Sequence, residues 1–589
     1  MANYVIVGAG ASGLYTAYRL LTGGTLQAGD TVRLYEWSER PGGRIYTYTF
    51  PDDVGGGGLY AEFGGMRFAT DSNFPNAIVE GHVLVQNMIV EMGLQNLVVP
   101  FVESPDRMYY LRGQTTYESL ITSPGSVPYN FNGEFLNFLK TVPQPYTADN
   151  VLGQIASVFA PGLKQDNAAR PAWCAYYASG AVGGGVATPS FPAGTLVQNM
   201  GYWNLLYDQL GDEGYDYCAD GNGYTSNVIN WNAADAMQAN NDYGSSTVYC
   251  RLNGGYSLLF QALAEAVEQA AAKYPGSGVF YNQQLLNLAY SDTAEQTICY
   301  FAMDCEAPVV ADYLFLAMPR RALEEVASRC ETTYILNQPE VKYYLESSID
   351  QPAIKAVLLF DQAWWAPSAG LCANSPRLSP IPGAPDTQSV GGPTITDLPL
   401  RMVYYFGNNV PNGPGTTGGP YVLLASYDDM NFSNFWRELQ TSTDYVEAPS
   451  MINQPIFGPT SVPVDGPLAG ILMKQLAEAH GAEIANLPAP TAVYFQDWGQ
   501  NPFGGGYHGW SAHYDICSAM NAVRAPSQAI TGGGPPLFIV GSCYSFDQAW
   551  VEGAFCVAES VLQDYFDLAP FAGVSDYCLI CKPSTDEAP

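Results

Sequence analysis

The chain opens with a short apolar run, Tyr4-Val5-Ile6-Val7, that leads directly into Gly8-x-Gly10-x-x-Gly13 and then an apolar stretch from Leu14 to Leu21. No other feature restricts the possible folds as much. A β-rich run, three glycines at this spacing and a helical stretch describe a strand, a tight turn and a helix packed back on the strand. Gly8 permits the turn, Gly10 lets backbone approach a pyrophosphate, and Gly13 lets helix and strand close on each other. Ala11 and Ser12 complete the turn. There the helix N-terminus offers unpaired N–H groups and the positive end of its dipole. A second β-rich run, Thr31 to Tyr35, ends at Glu36, followed by Trp37. A carboxylate there can accept hydrogen bonds from ribose hydroxyls. Together these parts predict a Rossmann-like dinucleotide site at the start of the chain.

The rest of the chain extends that theme. Leu84 to Met92 reads as a helix, and Leu258 to Lys273 as an Ala-rich helix stopped by Pro275-Gly276. Val279 to Leu288 and Ala311 to Ala317 read as strands. Leu468 to His480 reads as a helix, with Pro467 suited to its first turn. Leu537 to Val540 and Val551 to Phe566 repeat the strand–turn–helix order of the opening. Gly55 to Gly58 form a glycine loop. Residues 366 to 420 are dense in Pro, Gly, Thr and Ser, which suggests long loops. With 589 residues, 47% of them apolar, the chain exceeds one ordinary domain. The expected class is α/β. Residues 1–70, 250–330 and 485–566 form a discontinuous dinucleotide-binding domain, and 71–125 with 331–484 an α+β substrate-binding domain. Residues 126–249, poor in clean periods, form an inserted helical lobe, and 567–589 a tail.

Composition excludes several functions. A net charge of −33, from 56 acidic and 23 basic residues, repels phosphate backbones and speaks against nucleic-acid binding. The four histidines, His82, His480, His508 and His513, show no metal-ligand spacing. Twelve cysteines over this length do not make a disulfide scaffold, and Cys578-x-x-Cys581 reads as a tail pair without catalytic role. No stretch has the roughly 20 apolar residues that span a bilayer. No basic region precedes the first strand, so a soluble, cytoplasmic protein is expected.

The stretch VIVGAGASGLYTAYRL…VRLYEWSERPGGRIYTY resembles the flavin-dependent amine oxidase superfamily. The resemblance implies FAD, with Arg44 near its pyrophosphate. LYAEFGGMRFA, residues 59 to 69, resembles the L-amino acid oxidases, including the snake-venom enzymes, and the related amino-acid monooxygenases. It implies Gly64, Gly65 and Met66 beside the flavin, and Arg67 as the clamp on the substrate α-carboxylate. A guanidinium is a permanently charged planar fork that matches a carboxylate in a bidentate way. TDLPLRMVYYF, residues 396 to 406, is similar to a strand that carries a carboxylate-binding tyrosine in these families. The matching position is Tyr405, with Tyr404 the alternative. AIKAVLLF, residues 353 to 360, places Lys355 in an apolar strand, which is costly unless the charge is partnered or lost. Its position matches the lysine that holds a water against flavin N5. LFIVGSCYSFDQAWVEGAFCVAESVL, residues 537 to 562, looks like the family's last FAD motif, implying flavin contacts from Ser542, Trp550, Val551 and Ala554. Trp550 matches the aromatic wall beside the substrate, and Ala549 a carbonyl that receives its ammonium. Leu285 and Trp498 complete the expected flavin-binding set. Many relatives carry an acid in place of Ser542, where Asp547 is a nearby substitute, and often glycine in place of Ala549.

The implied reaction is oxidation of an L-amino acid by hydride transfer from Cα to FAD, with molecular oxygen reoxidising the flavin. The products are a 2-oxo acid, ammonia and hydrogen peroxide, and the resemblance implies a homodimer. No second dinucleotide fingerprint follows another strand, which disfavours an NADPH-dependent monooxygenase. The alternatives are an amino-acid 2-monooxygenase, a polyamine or monoamine oxidase, and a non-catalytic FAD-bound scaffold.

Overall fold

The computed structural model describes residues 1–54, 57–183, 188–240, 247–302, 307–380, 386–409, 419–439 and 457–582. The glycine turn belongs to a sheet of five parallel strands, ordered Gly278–Phe280, Thr31–Tyr35, Asn3–Val7, Tyr313–Leu316 and Leu537–Ile539. Parallel neighbours need a crossover, and the helix Ala11–Thr22 supplies it between the first two strands of the chain. That helix packs against Ser257–Ala271 and Val551–Phe566. Their apolar faces and the strands between them form one core. The α/β class follows from these elements, and the sheet is assembled from widely separated parts of the chain.

The closing helix, Val551–Phe566, is buried throughout its first twelve residues, from Val551 to Leu562. The two carboxylates within that buried stretch, Glu552 and Glu559, are partnered. Glu559 accepts hydrogen bonds from Tyr15 (2.9 Å), from Arg19 Nε (3.0 Å) and Nη2 (3.1 Å), and from the Phe571 amide (2.8 Å). Glu552 accepts from the amides of Leu84 (2.9 Å) and Val85 (3.0 Å), satisfying two orphan donors at the start of the helix Val83–Glu91. Burial raises the Glu552 carboxyl to about 7.

A second sheet has eight strands. Its centre is the run Ala353–Phe360, all buried, flanked by Tyr421–Asp429 and Ala492–Asp497. Alternation sorts the two faces. Ala353, Val357 and Leu359 join the core beneath the inserted lobe. Ile354, Ala356, Leu358 and Phe360 face the helix Pro467–Ala479 together with Trp364, Trp365 and Trp436. The lobe is helical, as expected, with Gly133–Leu139, Ala148–Phe159, Arg170–Ser179, Tyr202–Gly221 and Ala233–Ala239. Asn132, Thr147 and Asn232 cap the first, second and last of these through their side chains.

Two expectations need correction. Val279 to Leu288 is not one strand: Gly278–Phe280 lies in the parallel sheet, and Leu285–Ser291 starts a separate antiparallel sheet. Asn282, at φ 60°, turns the chain between them. Part of residues 366 to 420 forms the strands Gly391–Thr396 and Met402–Gly407 of the large sheet. Glycine is required there by close approach rather than by looping: a Cβ on Gly392 would meet Val403 O at 3.0 Å, at a φ of +137°. The two tail cysteines differ in state. Cys581 is bonded to Cys174, on the helix Arg170–Ser179, and Cys578 is a free thiol. Such bonds persist in oxidising surroundings, which does not favour a cytoplasmic placement. No helix among the described residues is long and apolar enough to cross a membrane.

The Arg19–Glu559 pair ties the first helix to the last and is nearly inaccessible to water. Truncation of one partner leaves a buried uncompensated charge. Glu559→Ala is expected to lower unfolding stability by about 3–5 kcal/mol. Urea unfolding of the purified variant, followed by circular dichroism, checks this.

Candidate active site

The ends of four parallel strands open into one cleft. Its lining includes Gly8, Gly10, Ala11 and Ser12 after the first strand, Glu36 and Trp37 after the second, Ala317 after the fourth, and Ser542 after the fifth. With its mouth included, it holds about 1630 Å³ not filled by protein. The glycines are explained by contact. A Cβ on Gly13 would meet Gly8 O at 1.9 Å, and one on Gly8 would meet Ala317 O at 2.5 Å. A Cβ on Gly10 would meet nothing within 4 Å and would stand in the cleft itself. Gly10 is also the cap of the helix Ala11–Thr22, with no side chain covering its amides. The same holds for Trp550 at the start of Val551–Phe566. Two helix N-termini thus face the cleft.

Fixed groups complete it. Glu36 Oε2 accepts from the Ala9 amide (2.7 Å), and Oε1 from the amide (2.8 Å) and hydroxyl (2.7 Å) of Ser38. Arg44 has no ion-pair partner among the described residues. Its guanidinium donates to Gly506 O (3.2 Å), Gly505 O (3.4 Å) and Ser542 Oγ (3.3 Å). Desolvation by burial opposes its charge. A buried cation with no direct ion-pair partner among the described residues, lining the same cleft as two uncapped helix ends, suits a pyrophosphate; the residues present fit a flavin dinucleotide. Leu285, Trp498, Val551 and Ala554 also line the cleft. Trp498 donates to Phe63 O (2.6 Å), which sets its ring.

A second cavity adjoins the first. Gly64, Gly65, Lys355, Ala549, Trp550 and Val551 line both, and Met66 and Arg67 line only the second. Lys355 Nζ donates to Glu62 O (3.1 Å) and Gly64 O (2.6 Å) and lies 4.7 Å from the Tyr427 ring centre. Burial pushes its ammonium down to about 7; the Glu62 carboxylate resists the shift and the Arg67 charge adds to it. Burial in turn raises the Glu62 carboxyl, against hydrogen bonds from the Tyr256 amide and the Thr47 hydroxyl. Trp550 packs against His82 at 4.8 Å and stacks with Tyr249 at 5.9 Å. The Arg67 guanidinium sits 4.6 Å from the Tyr249 ring and 5.3 Å from Phe101, with Glu103 at 3.4 Å.

One expected residue is elsewhere. Tyr405 points away from both cavities into the apolar layer on the far side of the large sheet. Its hydroxyl is engaged there by His480 Nε2 (2.7 Å) and Thr394 (3.0 Å). Successive strand residues face opposite sides, so its neighbour Tyr404 takes the near side. Tyr404 packs at 6.1 Å from Phe101 and is within electrostatic reach of Arg67. Asp547 does not stand in for an acid at Ser542; it pairs with Arg170 and lines the second cavity. Gly13 acts behind the cleft rather than in its wall.

Several walls were not foreseen. Tyr224, Asn227, Trp231, Asp235, Gln238 and Ala239 reach the second cavity from the inserted lobe, and Tyr427 and Tyr507 come from elsewhere. Tyr507 donates to Asp429, which also holds Ser226 of the lobe. The lobe has no periodic pattern that marks these side chains. Tyr507 follows Trp498 in the same glycine-rich segment, which is the one available hint.

Two measurements follow from this geometry. Tyr405→Phe removes a buried hydrogen bond far from both cavities. It is expected to cost about 1 kcal/mol of stability in denaturant titration and to leave KM unchanged, whereas Tyr404→Phe is expected to raise KM. Lys355 titrates lower in the folded chain than its ordinary value of 10.5. The unfolded chain therefore binds more protons between about pH 7 and 10.5, so the penalty of this lysine is full below pH 7 and fades as pH rises. The melting temperature of Lys355→Met relative to the natural chain is expected to be higher at pH 6 than at pH 9. An equal difference at both values refutes a depressed lysine.

A family model described as flavin containing amine oxidoreductase matches residues 11–558. Aplysianin-A of Aplysia kurodai is 25% identical over 601 aligned residues, covering 96% of this chain and 90% of that protein. An L-amino-acid oxidase of Demansia vestigiata is 25% identical over 439 residues, covering 73% and 66%. Among solved structures, putrescine oxidase bound to putrescine matches with a TM-score of 0.59 and 15% identity, covering 96% of this chain and 99% of that one. At that identity the likeness shows the fold alone.

Proposed function

The chain belongs to the flavin containing amine oxidoreductases and its cofactor is FAD; on that premise we propose that it oxidises the α-amino group of L-amino acids, with oxygen as acceptor. The observation that carries the reading is Arg67 in the wall of the cavity next to the flavin cleft, framed by aromatic rings and facing the same space as Lys355 and Trp550. A permanently charged guanidinium there suits a substrate with a carboxylate. A plain amine has no use for it.

In this reading Arg67, with Tyr404 behind it, binds and orients the carboxylate. Trp550, backed by Tyr249, forms the flat wall against which the substrate lies, and the Ala549 carbonyl accepts a hydrogen bond from its amino group. FAD, held by the Gly8–Gly13 turn, Glu36 and Arg44, would supply the acceptor for the hydride of Cα and a route for the electrons to oxygen. Lys355, held by two backbone carbonyls, positions a water at the cavity floor and can hold or release a proton near neutral pH. The imino acid is hydrolysed by water to a 2-oxo acid and ammonia, and oxygen leaves as hydrogen peroxide. The amino group must be neutral, with its lone pair free to form the imine as Cα loses hydride, so turnover is expected to rise with pH.

The test is reduction of the flavin without oxygen by a panel of L-amino acids, their D-forms and the decarboxylated amines. Bleaching by some L-amino acids alone is expected, and Arg67→Ala is expected to lower kcat/KM at least 100-fold, about 3 kcal/mol of lost binding. Bleaching by amines and not by amino acids overturns the reading. Assay of peroxide and 2-oxo acid against amide, after air is admitted, separates an oxidase from a 2-monooxygenase.

A further inference from the structure

Arg67 is mostly buried and cannot lose its charge, so it needs an anion. Among the described residues its one ion-pair partner is Glu103. The side chains are unequal: Arg67 is 15% exposed and Glu103 44%. The contact is a single one, Nη1 to Oε1 at 3.4 Å. A charge-assisted bond of this kind normally closes to about 2.7–2.9 Å. Glu103 is thus held loosely, with water free to take its place. Nε and Nη2 of Arg67 make no hydrogen bond with the described residues, although two parallel donors are what a guanidinium offers a carboxylate. Arg67 lines the second cavity and Glu103 does not. The resident carboxylate therefore touches the guanidinium from outside, and the cavity side stays open.

We propose that Glu103 is a specificity-determining residue that competes with the substrate carboxylate for Arg67. This rests on the reading of Arg67 as the carboxylate site. Two carboxylates on one guanidinium repel each other, so the charge of Glu103 lowers the affinity for an incoming carboxylate. A ligand must bring a carboxylate well enough placed to overcome it. A plain amine cannot displace Glu103 and meets an arginine whose charge is already answered. The residue sets both how tightly amino acids bind and how strictly a carboxylate is demanded. Its exposure makes the effect dependent on ionic strength.

The experiment uses the FAD-loaded protein and three variants, Glu103→Gln, Glu103→Asp and Arg67→Ala. Benzoate, a carboxylate without an amino group, is titrated against the flavin spectrum, and kcat and KM are measured with the L-amino acid oxidised best. Glu103→Gln is expected to lower the benzoate Kd and the KM roughly three- to tenfold, with kcat within about twofold. Glu103→Asp, which keeps the charge, stays near the natural values. Added salt narrows the difference between Glu103→Gln and the natural protein. A KM that rises in Glu103→Gln overturns the proposal, because Glu103 would then position Arg67 rather than compete for it. An unchanged KM and Kd, with benzoate binding lost in Arg67→Ala, also overturns it while leaving the carboxylate site standing. If the natural protein binds no benzoate and oxidises no L-amino acid, the carboxylate site itself falls, and the role of Glu103 falls with it.

Discussion

The contact between Gly13 and the carbonyl of Gly8 leaves no room for any side chain, and the cleft depends on it. Only with that approach does the helix Ala11–Thr22 stand close enough to the first strand to present its open end to a phosphate. The other walls are positioned from that turn. Gly8 in turn rests against the backbone of Ala317, so the fourth strand is placed by the first. The closing helix is then drawn in by Arg19 and Tyr15, two residues of the opening helix. A steric limit at one glycine thus propagates through backbone contact and one buried ion pair to Trp550, one of the residues that line both cavities.

The second constraint is electrostatic. The large sheet carries a lysine in a wholly buried strand, where a charge is expensive. Two backbone carbonyls and the Glu62 carboxylate hold it, and burial lowers its proton affinity toward neutrality. Arg67 lies close enough to add to that shift. The cavity therefore contains one cation that is permanent and one that is negotiable. This division suits a site that must grip an anion while moving protons nearby.

Much of this was legible in the sequence, and the reasons differ by residue. Gly8, Gly10, Gly13 and Glu36 are readable because their chemistry demands a local spacing. Lys355 is readable because a charge breaks an apolar strand. Tyr405 misleads because adjacent tyrosines give no sign of which one turns toward Arg67; only the sheet's alternation decides, and it puts Tyr404 on that side. Strand Gly391–Thr396 was hidden by glycines that serve close packing. Tyr224, Trp231 and Asp235 come from a lobe whose helices bury aromatic and polar residues without a clean period. Glu103 lies away from Arg67 in sequence, and Tyr15 and Arg19 lie far from Glu559; only folding joins them. Local rules find the cofactor's turn, and long-range packing builds the substrate's walls.

The parallel sheet draws its strands from both extremes of the chain, with Asn3–Val7 at its centre and Leu537–Ile539 at its edge. The first strand and its glycine turn supply one wall of the cleft, and the wall carrying Ala549 and Trp550 comes from a segment far away in sequence. Neither cavity can close before those two segments meet in the sheet. The cofactor cleft is therefore a property of the assembled sheet, and the glycine segment by itself is a single wall with nothing opposite it.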